Sequence, residues 1–216
     1  EYSHQIMSTF IKQNLNHSYL KLTLEKTPRV VCIYEGNQRM ASFHHNELKP
    51  VPYYEDERGL NLLGLSNALV VDSNLFSDSL IAKARQLNKK IIAYASLSLE
   101  KELKGAKKLF DQANIIWISL PNETLTPEDV INTYVFQYHQ LLVISTVTDF
   151  YIFMGSTCYM TQPSESEKAR DGVCDYEYFA KFIQLTISGD RPLLALYKTT
   201  NRLVDVHYPL GHTTAY

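Results

Sequence analysis

The stretch that decides the fold is "ALVVDSNLFSDSLIAKARQLNKKIIAYAS", Ala68 to Ser96. Its opening, Ala68–Ser73, is a short apolar run of the kind carried by a strand buried on both faces. Ser77–Asn88 follows with helical spacing, and Lys90–Ser96 is a second apolar strand. Strands joined through a helix pair in parallel, because a tight hairpin is not available to them. The unit then repeats. Leu99–Gln112 reads as a helix with Leu99, Leu103, Ala106 and Phe110 along one side, and "NIIWISLP" (Asn114–Pro121) as a strand. Thr126 can cap a helix that begins at Pro127 and carries Val130, Ile131, Tyr134, Val135 and Tyr138. Gln140–Thr146 and Phe150–Gly155 are the next strands. Two helices, Asp175–Ser188 ending at Gly189 and Arg191 to about Leu203, close the chain. The expected class is α/β: a three-layer, mainly parallel sheet with helices on both faces.

Upstream of this region the pattern differs. Tyr2–Asn14 is amphipathic, with Ile6, Met7, Phe10 and Ile11 on one side. Arg29–Tyr34 and Arg39–His45 flank "EGNQ", whose Gly-Asn chemistry predicts a β-hairpin. Lys49–Leu63, with Pro50, Pro52 and Gly59, reads as a connector. A length of 216 residues suits one domain, residues 1–216. A formal charge of −2 gives no electrostatic footing for nucleic acid or an anionic membrane surface. No apolar run nears the roughly 20 residues of a membrane-spanning helix.

Cys32, Cys158 and Cys174 lie far apart without a Cys-x-x-Cys pair, which argues against a disulfide framework and a zinc site. The same usage fits an intracellular, reducing compartment. His44 and His45 are neighbours in a strand and point to opposite faces, so they cannot share one metal. No metal site is expected from the histidines.

In an open α/β sheet, ligands gather beyond the carboxyl ends of the strands. That singles out Asp72, Ser73, Ser96, Pro121 to Glu123 and Ser145 to Asp149. A further segment stands out: "ARDGVCDYEYF", Ala169–Phe179, sets a glycine and an aspartate directly before an aromatic, helix-like run. On its own chemistry Asp175 is an N-cap carboxylate, worth about 1 kcal/mol to its helix.

The order of hairpin, strand–helix units, final hairpin and glycine-and-aspartate helix start resembles the PfkB (ribokinase-like) carbohydrate kinases. "DGVCD" (Asp171–Asp175) falls where that family has Asp-Thr-x-Gly-Ala-Gly-Asp before a helix. "ISLPNETL" (Ile118–Leu125) is similar to its strand ending in Asn-x-x-Glu, and "LVISTVTDFYIF" (Leu142–Phe153) to its strand with Thr-x-Gly-x-x-Gly. The segments "QP" (Gln162-Pro163) and "ISGDRPLLALYKTTN" (Ile187–Asn201) carry the likeness to either side of the helix. The resemblance implies ATP and Mg as cofactors and a sugar-like ligand. It implies Asp175 as general base and the amides of Gly172, Val173 and Cys174 as an anion hole. Asn122 and Glu123 would then lie near magnesium, with Ser145 and Thr146 on the nucleotide side. Residues 29–45 would be a small lid, and the family's opening strands would precede Glu1.

The departures point the other way. Cys174 stands at the family's second glycine, where a Cβ restricts positive φ and hinders close approach of a phosphate. Val147 and Phe150 replace the two glycines after the threonine, so bulk is expected where a nucleotide needs bare backbone. Leu125 stands at the glutamate of Asn-x-x-Glu. Two functions therefore stay open: a degenerate, non-catalytic binding or structural subunit, and an active kinase for a sugar or nucleoside hydroxyl. A third, an unrelated doubly wound regulatory domain, follows if the likeness is accidental. In the first, a protein partner or second copy would dock through the hairpin or a sheet edge.

Overall fold

Each apolar run read above as a strand is a strand. The structure is a computed structural model, describing residues 2–14, 29–35, 38–45, 57–73, 78–121, 124–134, 137, 139–155, 157–161, 174–200 and 204–205. The elements in chain order are α1 (Tyr2–Lys12), β1 (Arg29–Glu35), β2 (Gln38–His45), α2 (Glu57–Leu65), β3 (Ala68–Asp72), α3 (Asp78–Gln86), β4 (Lys90–Ser96) and α4 (Glu100–Phe110). They continue with β5 (Ile115–Ser119), α5 (Pro127–Thr133), β6 (Leu141–Ser145), β7 (Phe150–Met154), β8 (Thr157–Thr161), α6 (Cys174–Ile187), α7 (Pro192–Thr200) and β9 (Val204–Asp205).

Strands β1 and β2 pair antiparallel as a two-stranded sheet, with a register shift at Ile33/Tyr34. The other seven form one sheet whose spatial order, β3 to β9, repeats the chain order. Pairing is parallel from β3 through β6, where α3, α4 and α5 supply the crossovers, and antiparallel from β6 to β9.

Strand alternation sorts the core into two layers. Ile91, Ala93, Ile116, Ile118, Leu142 and Ile144 face one side and pack with Ile81 of α3, Leu103 and Phe110 of α4, Val130 of α5 and Leu63 of α2. Ile92, Tyr94, Ile115, Trp117, Val143, Phe150 and Ile152 face the other side and pack with Tyr178, Phe182 and Ile183 of α6 and with Ala195 and Leu196 of α7. Full burial of each large apolar side chain contributes about 1.5–3 kcal/mol. That is why β4, β5 and β6 carry almost no polar residue before their last position.

Local chemistry fixes the helix ends. The Glu102 carboxylate accepts from the backbone N–H groups of Ser98 (2.7 Å) and Leu99 (3.1 Å), tying down the start of α4. Thr126 and Asp129 form the expected capping box on α5: Asp129 N–H donates to the Thr126 hydroxyl (3.2 Å) and Thr126 N–H to the Asp129 carboxylate (2.9 Å). Helix α6 ends as Gly189 predicts. With φ at 104°, Gly189 turns the chain so that its N–H reaches Thr186 O and Asp190 N–H reaches Leu185 O.

Four expectations need correction. The stretch read as a connector, Lys49–Leu63, contains most of α2, in which Gly59 and Leu63 are buried. The helix after Thr126 stops at Thr133, because Tyr134 is extended (φ −117°, ψ 113°) and buried with its hydroxyl donating to Gln140 Oε1. Val135 and Tyr138 lie outside the described residues. Strand β8 was not foreseen, and α7 ends at Thr200 before β9 adds beside β8. No helix among the described residues is long and apolar enough to cross a membrane.

Candidate functional site

Register brings the ends of the central strands into line. Ser96, Ser119 and Ser145 close β4, β5 and β6, and each pairs in register with the next. All three occupy the parity of Tyr94, Trp117 and Val143, so this hydroxyl row belongs to the face that α6 covers. The main-chain ladder runs on past the strands. Ser73 N–H donates to Tyr94 O (2.9 Å), Leu97 N–H to Ser119 O (2.8 Å) and Leu120 N–H to Ser145 O (2.7 Å). These bonds hold the carboxyl ends of four strands in a fixed relation.

Helix α6 is anchored beside that row by aromatic packing. Tyr176 stacks on Tyr94 with ring centroids 4.9 Å apart, and Phe179 meets both Tyr94 (4.9 Å) and Trp117 (5.5 Å). Tyr178 packs edge-on against Phe150 at 4.9 Å. The first turn of α6, which opens with Cys174 and Asp175, is thereby set at the carboxyl ends of β4 and β5. The N–H groups of a first helical turn have no acceptor within their own helix, and of the three serines Ser119 and Ser145 are buried while Ser96 is exposed. Gly172 and Val173 lie outside the described residues, as do Asn122 and Glu123.

The turn after β6 is closed on itself. Thr146 N–H donates to Asp149 O (2.8 Å), and the Thr146 hydroxyl accepts from Asp149 N–H (2.9 Å). Val147 stands at its tip, 63 % exposed. Phe150 does not fill the space above this turn, as its sequence position implied. It is 3 % exposed and packs inward against Trp117 and Tyr178. The side chains exposed at the turn are those of Val147 and Thr148.

Leu125 is 5 % exposed and belongs to the core beneath α4 and α5. A carboxylate at that position would be buried among apolar side chains, so the residue cannot be exchanged for a metal-ordering acid without opening the core. The nearby acid, Asp129, is engaged by Thr126, first through the Thr126 backbone N–H and then its hydroxyl, and both hold its carboxyl below the usual carboxylate range. Among the described residues no group of three His, Cys, Asp or Glu side chains is placed to hold a metal ion. The donors that the resemblance implies for magnesium, Asn122 and Glu123, lie outside the described residues.

Sequence reasoning named Ser96 and Ser145 singly and missed Ser119 and the row they make. The signal was present: "AYAS", "IWIS" and "LVIS" end three consecutive apolar strands in the same way.

No family model and no curated protein matches this sequence. Solved structures do match. Ribokinase from Thermotoga maritima superposes with a TM-score of 0.62 at 13 % identity, over 93 % of this chain and 69 % of its own. A carbohydrate kinase from Agrobacterium tumefaciens gives 0.55 at 14 % identity, over 82 % of this chain and 61 % of its own. An E. coli protein assigned as ribokinase II, solved with ATP and Mg2+, gives 0.58 at 13 % identity over 82 % of this chain. The chain thus has the ribokinase-like α/β fold of the PfkB carbohydrate kinases, as a divergent example of it. It spans 61 % of the length of the Agrobacterium protein.

Proposed function

We propose that this chain is a ribokinase-fold binding or structural subunit whose nucleotide site has been degraded. The observation that carries the reading is Leu125, buried in the core where the resemblance calls for a magnesium-ordering glutamate. Val147 at the exposed tip of the 146–149 turn adds to it, since a nucleotide phosphate approaches bare backbone more closely than a β-branched residue. The surfaces available to a protein partner or second copy are the lid-like hairpin β1–β2 and strand β3, an edge strand among the described residues. The test is calorimetric titration of the longest native chain with ATP and Mg2+. Heat-silent titration up to about 1 mM supports degeneration, and a Kd near 1 μM, which corresponds to about 8 kcal/mol of binding, refutes it.

One observation favours a second reading, an active kinase acting on a sugar or nucleoside hydroxyl. It is the amino-terminal turn of α6, bearing Asp175, set beside the row Ser96, Ser119 and Ser145. In that reading the Asp175 carboxylate takes the proton of the attacking hydroxyl, and the amides of Gly172 to Cys174 face the transferred phosphoryl group. A panel of sugars and nucleosides, followed by ADP release, tests it. Asp175→Asn is expected to lower turnover by about 10²–10⁴-fold, and unchanged turnover would rule out this assignment.

A further inference from the structure

At the opposite end of the sheet, where β4, β5 and β6 begin, the structure holds a cavity of about 350 Å³. Its lining is polar apart from Ile91 and Ala113, and its charged members are Arg85, Lys89, Lys90 and Asp111, with His139 beside them. Two of the cations are already oriented by carbonyls. Arg85 Nη2 donates to Gln112 O (3.2 Å) and Lys89 Nζ to Gly64 O (2.7 Å). The single carboxylate is taken up by Lys107, 2.8 Å away. Among the described residues the side chains of Lys90 and His139 make no hydrogen bond or ion pair, and both residues are exposed at the rim.

The sign of the site follows from a count. Three permanent cations face one carboxylate that has its own partner. The carboxyl ends of α2, α3, α4 and α5 lie toward this end of the sheet, and each adds up to roughly half a negative charge. With Asp111 held by Lys107, a positive balance of about one charge remains after that deduction. An apolar ligand finds no matching wall here, and a cation is repelled. The volume falls in the range of sites that take small metabolites, about 300–1,000 Å³.

We propose that this cleft binds a small phosphate monoester, a sugar phosphate or a nucleoside monophosphate, through Arg85, Lys89 and Lys90. It lies at the amino ends of the strands, away from the serine row, so the inference holds whether or not the chain transfers phosphate. The experiment is calorimetry on the whole chain at low ionic strength with two matched pairs: glucose 6-phosphate against glucose, and AMP against adenosine. The phosphorylated member of at least one pair should bind with a Kd of about 10 μM to 1 mM, and its partner should not. The pair that responds identifies the source of the phosphate. Raising the salt should weaken binding, because exposed charges are screened over about 10 Å at 0.1 M. Lys90→Glu should weaken it by about tenfold or more, equivalent to 1.4 kcal/mol. Lys90 is exposed, so the variant should keep the wild-type circular dichroism and Tm. Should Lys90→Glu fail to fold, Lys90→Gln carries the test with an expected loss of about threefold, since one exposed charge contributes at most about 1 kcal/mol. The proposal is overturned by equal binding of both members of each pair, by no binding at 1 mM, or by an affinity that Lys90→Glu leaves unchanged.

Discussion

The position of α6 can be tested at one ring. Phe182 is fully buried beneath the helix, and its centroid lies 5.5 Å from that of Trp117, which is itself fully buried on β5. Phe182→Ala removes a large side chain from a close-packed layer whose other members include Trp117, held by β5, Ile183, held by α6 itself, and Ala195, held by α7. They can collapse into the gap only in part, so the expected cost is about 3–5 kcal/mol. With a urea m-value of about 2 kcal/mol/M, the unfolding midpoint should fall by roughly 1.5–2.5 M. The molecule carries its own probe, because Trp117 is the only tryptophan and touches the deleted ring. Its fluorescence reports both native packing and the transition. Phe179 meets the same indole but is only half-buried, so Phe179→Ala should cost less and provides the internal comparison. A Phe182→Ala midpoint within about 0.3 M of wild type would refute the packing of α6 on β5 and, with it, the placement of Asp175 at the strand ends.

Other expectations follow from single contacts. Gln140 is buried, and its side chain donates to Phe110 O (2.7 Å) and Ala113 O (2.9 Å) while accepting from Gln137 N–H and the Tyr134 hydroxyl. Gln140→Leu strands at least Ala113 O and removes one partner of the Tyr134 hydroxyl, for a loss of about 1–3 kcal/mol and a Tm lower by roughly 2–12 °C in a thermal melt. Asp129 holds its proton less firmly in the fold than the usual 3.8, so its cap is intact above that value and is lost as pH falls through the lower, folded one. Asp129→Asn should flatten the fall in stability between about pH 4 and pH 2, measured by urea melts across that range. Burial pushes the Cys158 thiol up to about 12, so it should resist alkylation at pH 8 in the native protein and react once urea unfolds it.

The strands were legible because burial on two faces leaves no room for polar residues in "IIAYA", "IIWI" or "LLVI". What failed to show was structure whose cause lies elsewhere in the chain. Helix α2 was masked by the prolines and glycine around it, yet Leu63 earns its place through a core made mostly by α3 and α4. Strand β8, "TCYMT", is apolar in no regular pattern, and it exists because β7 offers a free edge to pair with. Phe150 was assigned to the nucleotide space from its motif position. Counting parity along β7 turns it inward with Ile152, and Tyr151 with Phe153 to the other layer. At the site, the rule that ligands gather at carboxyl strand ends drew attention to the serines. The same rule drew it away from the cationic cleft, whose three cations all lie in "RQLNKK" (Arg85–Lys90), with further walls from 111–114, Gln137 and His139.

Because β3 to β9 sit side by side in the sequence in which they are synthesised, each new strand needs only the one made just before it as a template. From β3 to β6 the closures stay short, and each addition brings a ladder and a helix on one face, whereas α6 and α7, which cover the other face, follow β8. Such a sheet can lengthen stepwise as the polypeptide leaves the ribosome. A chain halted within β7 would hold β3 to β6 paired and covered on one side by three crossover helices, with Ile92, Tyr94, Trp117 and Val143 left bare until the last two helices are made.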